Sequence, residues 1–146
     1  MKTAVVYYTF GGSTKREAER LAGELGADIC RVSEVKNRNL LTSFIPGSFQ
    51  AMKQKATPIR PLSLDLLAYE RLIIGCPLWA NYPAPAFNSI VKLLPPGKEV
   101  EVFICSGSGD SSKSEPKTKE LISRQGCRVV SYRDVKTNTP PGKIKE

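Results

Sequence analysis

Five short apolar runs punctuate this chain: Ala4 to Tyr8, Ala27 to Val32, Glu70 to Cys76, Glu99 to Cys105 and Cys127 to Tyr132. Each is rich in β-branched or aromatic residues and bounded by turn formers, the pattern of buried strands. Between them the period lengthens. Ala18, Leu21, Ala22 and Leu25 recur on one helical face, as do Phe87, Ile90, Val91 and Leu94. A more polar helix is predicted from Glu115 to Arg124, with a stop near Gly126. Pro83 suits the first turn of the middle helix, and Pro95, Pro96 and Gly97 end it. Ser33 to Tyr69 is the least regular stretch. Its prolines and Gly47 rule out a long helix, although Ser48 to Lys55 can form a short one. Phe44, Ile45 and Phe49 are expected to pack inward, since large apolar groups left in water are costly.

Strands alternating with helices imply an α/β protein, a parallel sheet with right-handed crossovers and helices on its faces. In such sheets ligands bind beyond the carboxyl ends of the strands, where strand order reverses. With a five-stranded order 2-1-3-4-5, the loops after strands one, three and four meet at that place. The domain is expected to span residues 1–136, with 137–146, rich in Pro, Lys and Thr, as an extended tail. No closing helix is evident.

The first loop carries the clearest chemistry. Thr14 with Glu17 three residues on forms a capping-box pair, which predicts a helix starting at Thr14. Gly11 and Gly12 permit positive φ and close backbone approach. Outward amides, the helix dipole and the hydroxyls of Thr9, Ser13 and Thr14 then converge on a place suited to a phosphate. An ordinary capped βα turn reads the same way on this stretch alone.

Composition narrows the chemistry further. The chain has no histidine, which removes the commonest general base and metal ligand. Cys30, Cys76, Cys105 and Cys127 show no paired short spacing, so they read as reduced core residues and no metal site is expected. The net charge of +8 favours acidic or phosphorylated partners. Because the basic residues are scattered without interleaved aromatics, nucleic acid is not the expected partner. No apolar run reaches the ~20 residues of a membrane span and no secretory signal is visible, so the expected location is cytoplasmic.

In sum the chain resembles the flavodoxins, and more narrowly the short-chain flavodoxin-like domains. The resemblance extends up to Tyr132 and rests on Tyr7 to Thr14, Tyr69 to Trp79, and Ser106 to Gly109 in that order. It implies the three-layer flavodoxin-like sandwich, flavin mononucleotide (FMN) as cofactor and single-electron transfer, not a self-contained enzyme. By that resemblance Thr9, Gly11, Gly12, Ser13 and Thr14 would hold the phosphate, with Phe10 among them as a further cofactor-binding residue. Pro77, Leu78, Trp79, Ala80, Asn81 and Tyr82 would flank the flavin ring, with Trp79 over one face. Ser106, Gly107, Ser108 and Gly109 would offer amides to its polar edge. Taken alone, Trp79 reads as a core or lid residue. The Ala80–Asn81 peptide would be the one that changes orientation with the cofactor's redox state.

Three departures stand out. Gly11 occupies a position where the family usually has a hydroxyl, the loop after strand four lacks a stacking aromatic, and the closing helix is missing. The last leaves part of one sheet face uncovered, to be closed by a second copy of the chain or by Ser33 to Tyr69. The basic charge, unusual for flavodoxins, implies a less negative second potential and a redox partner with an acidic docking face. Two other readings stay open: an FMN-dependent NAD(P)H:quinone-type oxidoreductase, with a second-ligand pocket built by Ser33 to Tyr69, and a flavin-free module of the same fold.

Overall fold

In the computed structural model, which describes residues 1–36 and 48–137, the five apolar runs become one parallel sheet. In chain order the elements are β1 (Thr3–Tyr7), α1 (Ser13–Leu25), β2 (Asp28–Arg31), α2 (Ser48–Met52), β3 (Arg71–Trp79), β4 (Tyr82–Pro83), α3 (Pro85–Lys92), β5 (Glu99–Ser106), α4 (Glu115–Arg124) and β6 (Arg128–Lys136). A 3₁₀ turn at Leu66–Ala68 precedes β3. The strand order is β2-β1-β3-β5-β6, so the expected order holds once the short β4, which pairs antiparallel with β3, is set aside. The expected inward packing of Phe44, Ile45 and the Phe49 side chain lies outside the described residues, as does the tail beyond Thr137.

Two details differ from the sequence reading. Pro83 belongs to β4, and it is Pro85 that takes the first helical position of α3. Its fixed φ suits that position and its missing N–H costs nothing there. Strand β3 also runs on through Pro77 to Trp79, because Tyr82–Pro83 folds back and pairs with Leu78–Trp79.

The period-two alternation of each strand sends its residues to two different cores. Ala4, Val6, Leu72, Ile74, Cys76, Val100, Val102 and Ile104 face the larger core, which Phe87, Ile90, Val91 and Leu94 of the middle helix region and Ile122 of α4 complete. All four predicted stripe residues of that region are buried. Leu66 and Tyr69 add to the same core, so the described part of Ser33 to Tyr69 packs there. It does not cover the other face.

That other face carries Val5, Tyr7, Ile73, Phe103 and Cys105 against Ala18 of α1. Leu21 and Ala22 of α1, with Ala27 and Val135, pack against the same cluster. Phe103 lies opposite Gly75 in the register, and its ring occupies the space a Cβ on Gly75 would need. The guanidinium of Arg133 stands 5.7 Å from the centroid of that ring and donates to Glu17 on α1 at 2.6 Å. An aromatic ring lying flat on a glycine, roofed by an arginine tied back to the helix, takes the place of a second helical layer among the described residues.

Glu17 is only 12% exposed and also accepts from Arg20. The Arg20 hydrogen bond, then that of Arg133, hold its carboxyl below the ordinary 4.5, against partial burial that pushes it up. A lowered folded-state pKa means the contribution is fully present above the unfolded value and is lost as pH falls through the folded one. Acidification from about pH 6 to about pH 3 is therefore expected to erode stability partly through this clasp. Arg133→Gln should flatten that slope; urea midpoints at each pH, with identical slopes in the two proteins, would remove the clasp from the account.

Candidate functional site

Strands β1, β3 and β5 leave the sheet side by side at its carboxyl edge, with Tyr7 opposite Gly75 and Pro77 opposite Cys105. The three sequence segments singled out above therefore emerge at one place. Phe10 of the first meets Trp79 of the second edge-on, with ring centroids 5.8 Å apart.

The first segment is a turn held open by two glycines. Gly11 and Gly12 have φ of 129° and 113°, values an L side chain rarely adopts, and a Cβ on Gly12 would meet open space. Gly12 N–H donates to Thr9 Oγ1 at 3.1 Å, so this hydroxyl ties the turn together. Helix α1 starts at Ser13, one residue before expectation, and Gly12 is its cap without any side-chain bond. The capping box does not form. Thr14 sits inside the first turn, fully buried, and its Oγ1 has no hydrogen-bond partner among the described residues. Glu17, its supposed partner, faces Arg20 and Arg133 instead.

This N-terminus is poorly satisfied by its own protein. Helical bonding begins with Arg16 N–H on Gly12 O, which leaves the amides of Thr14 and Lys15 outside the ladder. The first turn holds no acidic residue but does hold Lys15 and Arg16, the wrong sign for the helix dipole. A buried, unpartnered hydroxyl costs about 1–3 kcal/mol. Of the buried orphan atoms among the described residues, which also include Gln54 Nε2, Asn88 Oδ1 and Thr118 Oγ1, only Thr14 Oγ1 lies within the first two residues of a helix. An anion seated against the turn answers all three deficits at once.

The second segment is a hairpin, not the open loop expected of Pro77 to Tyr82. Its two turn residues, Ala80 and Asn81, have φ of 51° and 69°. Two left-handed residues in succession match the twist of a hairpin and favour Asn or Gly. Asn81→Val is expected to cost about 1–2 kcal/mol and Asn81→Gly close to nothing, read from urea unfolding; equal stability of the two variants would contradict this geometry. Trp79 is 8% exposed and wedged edge-on between Tyr8 and Phe10, so the core holds its ring. Tyr82 is half-buried and lies beneath Lys117 Nζ, 5.7 Å from the ring centroid.

The third segment folds upon itself. Gly109 N–H donates to Ser106 Oγ at 3.0 Å, so this amide is consumed internally and not offered outward as expected. Gly107 and Ser108 are the exposed pair of the loop. Just beyond, Ser111 Oγ donates to Asp134 at 2.6 Å and shares a hydrogen bond with the Tyr132 hydroxyl. Burial pushes the Tyr132 phenol well up, keeping it a neutral partner. This anchor of the loop onto β6 was missed by sequence reasoning. Its only signal was the alternation that sends Tyr132 and Asp134 to one face of a strand.

Two further features border the first segment. Tyr8 hydroxyl donates to the buried carboxylate of Glu34 at 2.6 Å. Beside them lies a cavity of about 200 Å³ lined by Thr9, Phe10, Arg31, Ser33, Glu34 and Lys36 among others. Among the described residues no group of His, Cys, Asp and Glu could hold a metal ion, and no helix is long and apolar enough to cross a membrane.

Comparison with known proteins gives the class. No protein-family model matches the chain. An uncharacterized protein of Archaeoglobus fulgidus is 26% identical over 133 residues, which cover 89% of this chain and 82% of that one. Among solved structures, the flavoprotein of Lactobacillus acidophilus in complex with FMN superposes with a TM-score of 0.74 at 23% identity, covering 90% of this chain and 91% of that chain. A candidate flavoprotein from Bacteroides eggerthii reaches a TM-score of 0.78 at 21% identity, covering 90% and 86% of the two chains. Oxidised flavodoxin 1 from Bacillus cereus gives 0.55 at 17% identity, covering 97% and 88%. The chain thus has the flavodoxin-like fold, as its strand order already indicates. Within that fold it is more similar to the two flavoproteins than to this flavodoxin.

Proposed function

We propose that this chain binds FMN at the carboxyl edge of its sheet and works as a single-electron carrier. The observation that carries the reading is the orphaned Thr14 hydroxyl at an uncapped helix N-terminus, behind two left-handed glycines and beside Lys15 and Arg16. Each of these is a cost to the empty protein and a contact for a phosphate. The similarity to a flavoprotein that binds FMN supports the choice of anion.

When bound, the flavin supplies the redox chemistry, and the protein supplies position and field. Thr14 Oγ1 and the amides of Thr14 and Lys15 would hold the phosphate, with Thr9 keeping the turn closed through Gly12. The Ala80–Asn81 turn and the exposed Gly107 and Ser108 would flank the ring from two sides. Trp79 and Phe10 would shield it from water on the core side, and Tyr82 on the other. No proton-transferring side chain is needed, in keeping with a chain free of histidine.

Titration with FMN and with riboflavin tests this directly, because Trp79 is the sole tryptophan and touches the cradle through Phe10. FMN should quench its fluorescence and bind at least about 100-fold more tightly than riboflavin, the value of one or two charge-assisted hydrogen bonds. Equal affinities, or no quenching at saturating FMN, would reject the site.

One observation favours a second reading. The cavity beside Thr9 and Phe10 adjoins the same cradle and could admit a second small ligand, as an NAD(P)H:quinone-type reductase requires. Rapid bleaching of the bound flavin by a nicotinamide alone selects that reading; slow bleaching selects the carrier.

A further inference from the structure

The formal charge of +8 is not spread evenly over the molecule. At the amino edge of the sheet the cations are engaged. Arg71 and Arg128 share Glu99, Lys98 Nζ donates to the Leu67 carbonyl and Lys2 Nζ lies over the Tyr69 ring. On the helices, Arg20 pairs with Glu17 and Glu24 and Arg124 with Glu120.

At the carboxyl edge they are not matched. Lys15 and Arg16 stand in the first turn of α1, Arg31 ends β2 and Lys36 follows it, Lys113 and Lys117 flank the start of α4, and Lys136 ends β6. All seven are exposed, and none forms an ion pair with a described residue. Contacts tie them to the three site segments. Arg31 and Lys36 line the cavity with Thr9 and Phe10. Lys117 lies over Tyr82, and Lys136 packs where a Cβ on Gly109 would go.

The acidic groups of this edge are already engaged. Glu34 is buried on Tyr8, Glu17 holds two arginines, Glu115 pairs with Lys119 and Asp134 accepts from Ser111. Asp110, which accepts from the Ser112 N–H, and Glu19, one turn along α1 from Lys15, are the exposed exceptions. The edge is therefore ringed by cations around the mouth of the site. Such a ring raises the local concentration of anionic surfaces and orients them.

We infer that this ring is the docking surface for an acidic redox protein, whose carboxylates surround its own electron-transfer centre. The inference rests on the proposed electron-carrier reading for its purpose, but not for its geometry. A nucleic acid fits less well. The cations encircle a mouth instead of following a strand, and the rings nearest it, Tyr8, Phe10, Trp79, Tyr82 and Tyr132, are all buried or half-buried, so none of them offers a stacking platform.

The probes are an acidic plant-type ferredoxin, basic cytochrome c and a short DNA duplex, each titrated into the isotopically labelled FMN-treated protein at low salt and at about 0.15 M salt. The ferredoxin should bind most tightly, shift the amides of residues 15, 16, 31, 36, 113, 117 and 136, and weaken at the higher salt. In Lys36→Glu/Lys113→Glu/Lys117→Glu its affinity should fall about 10-fold or more, and that for cytochrome c should rise. Tighter binding of cytochrome c or DNA by the unaltered protein, a footprint on the amino edge, or no binding of ferredoxin at low salt would each overturn the inference. The flavin absorbance of the same samples reports separately on cofactor binding, so a colourless protein that still docks ferredoxin sinks the carrier reading and not the surface.

Discussion

Gly75→Ala is expected to be among the most destabilising single-methyl additions available in this chain, costing about 3 kcal/mol. A Cβ built on Gly75 comes 2.0 Å from Phe103 Cζ and 2.4 Å from both Cε atoms. The backbone there is not among the positive-φ glycines, so alanine meets no conformational penalty and the effect isolates packing. Phe103 cannot simply move aside. It is 1% exposed, with Ala18 of α1 in the same core and Arg133 over its ring. For a chain of this size the loss corresponds to roughly 10 °C in melting temperature. Phe103→Ala alone should also be costly, by about 3–5 kcal/mol. The double variant should cost clearly less than the sum, because the new methyl partly fills the space the ring vacates. Additive losses in thermal melts of the four proteins would show that ring and glycine are not coupled.

Thr14→Val separates the empty protein from the loaded one by sign. Valine is close in shape to threonine, and the hydroxyl it removes is buried and unpartnered among the described residues. The empty protein should therefore be unchanged or more stable, by up to about 1–3 kcal/mol. FMN affinity should fall by roughly 10- to 100-fold, the value of one hydrogen bond to a charged acceptor, while riboflavin affinity should stay as it was. Urea unfolding of the empty protein and the two titrations suffice. A destabilised empty protein with unaltered FMN affinity would mark the hydroxyl as structural and empty the cradle of its main support.

These two residues also mark where sequence reasoning stops. Thr14 was legible as part of a phosphate-suited turn, but as a helix cap for Glu17. The structure places the cap at Gly12, two positions earlier, so that the Thr14 hydroxyl has nothing to cap. Capping is a contest between φ/ψ states of adjacent residues, and Gly12 at φ 113° wins it because glycine alone enters that region without strain. The Pro77–Tyr82 stretch was similarly readable as a site segment but not as a hairpin, since only the pairing of Tyr82–Pro83 with Leu78–Trp79 closes the turn.

The order of strands and helices, the glycine turn, the burial of the Phe87–Leu94 stripe and the surplus of positive charge were determined by the sequence itself. These depend on periodicity, backbone freedom and composition, all of which are local. What covers the α1 face, which carboxylates are spent and where the surplus charge gathers were decided by tertiary structure alone. Glu17 and Arg133 stand 116 residues apart in the chain, and Gly75 meets Phe103 only across a parallel strand pair. No local pattern encodes such contacts, because a side chain's partner across a sheet is set by strand order and register, which exist only once the chain has folded.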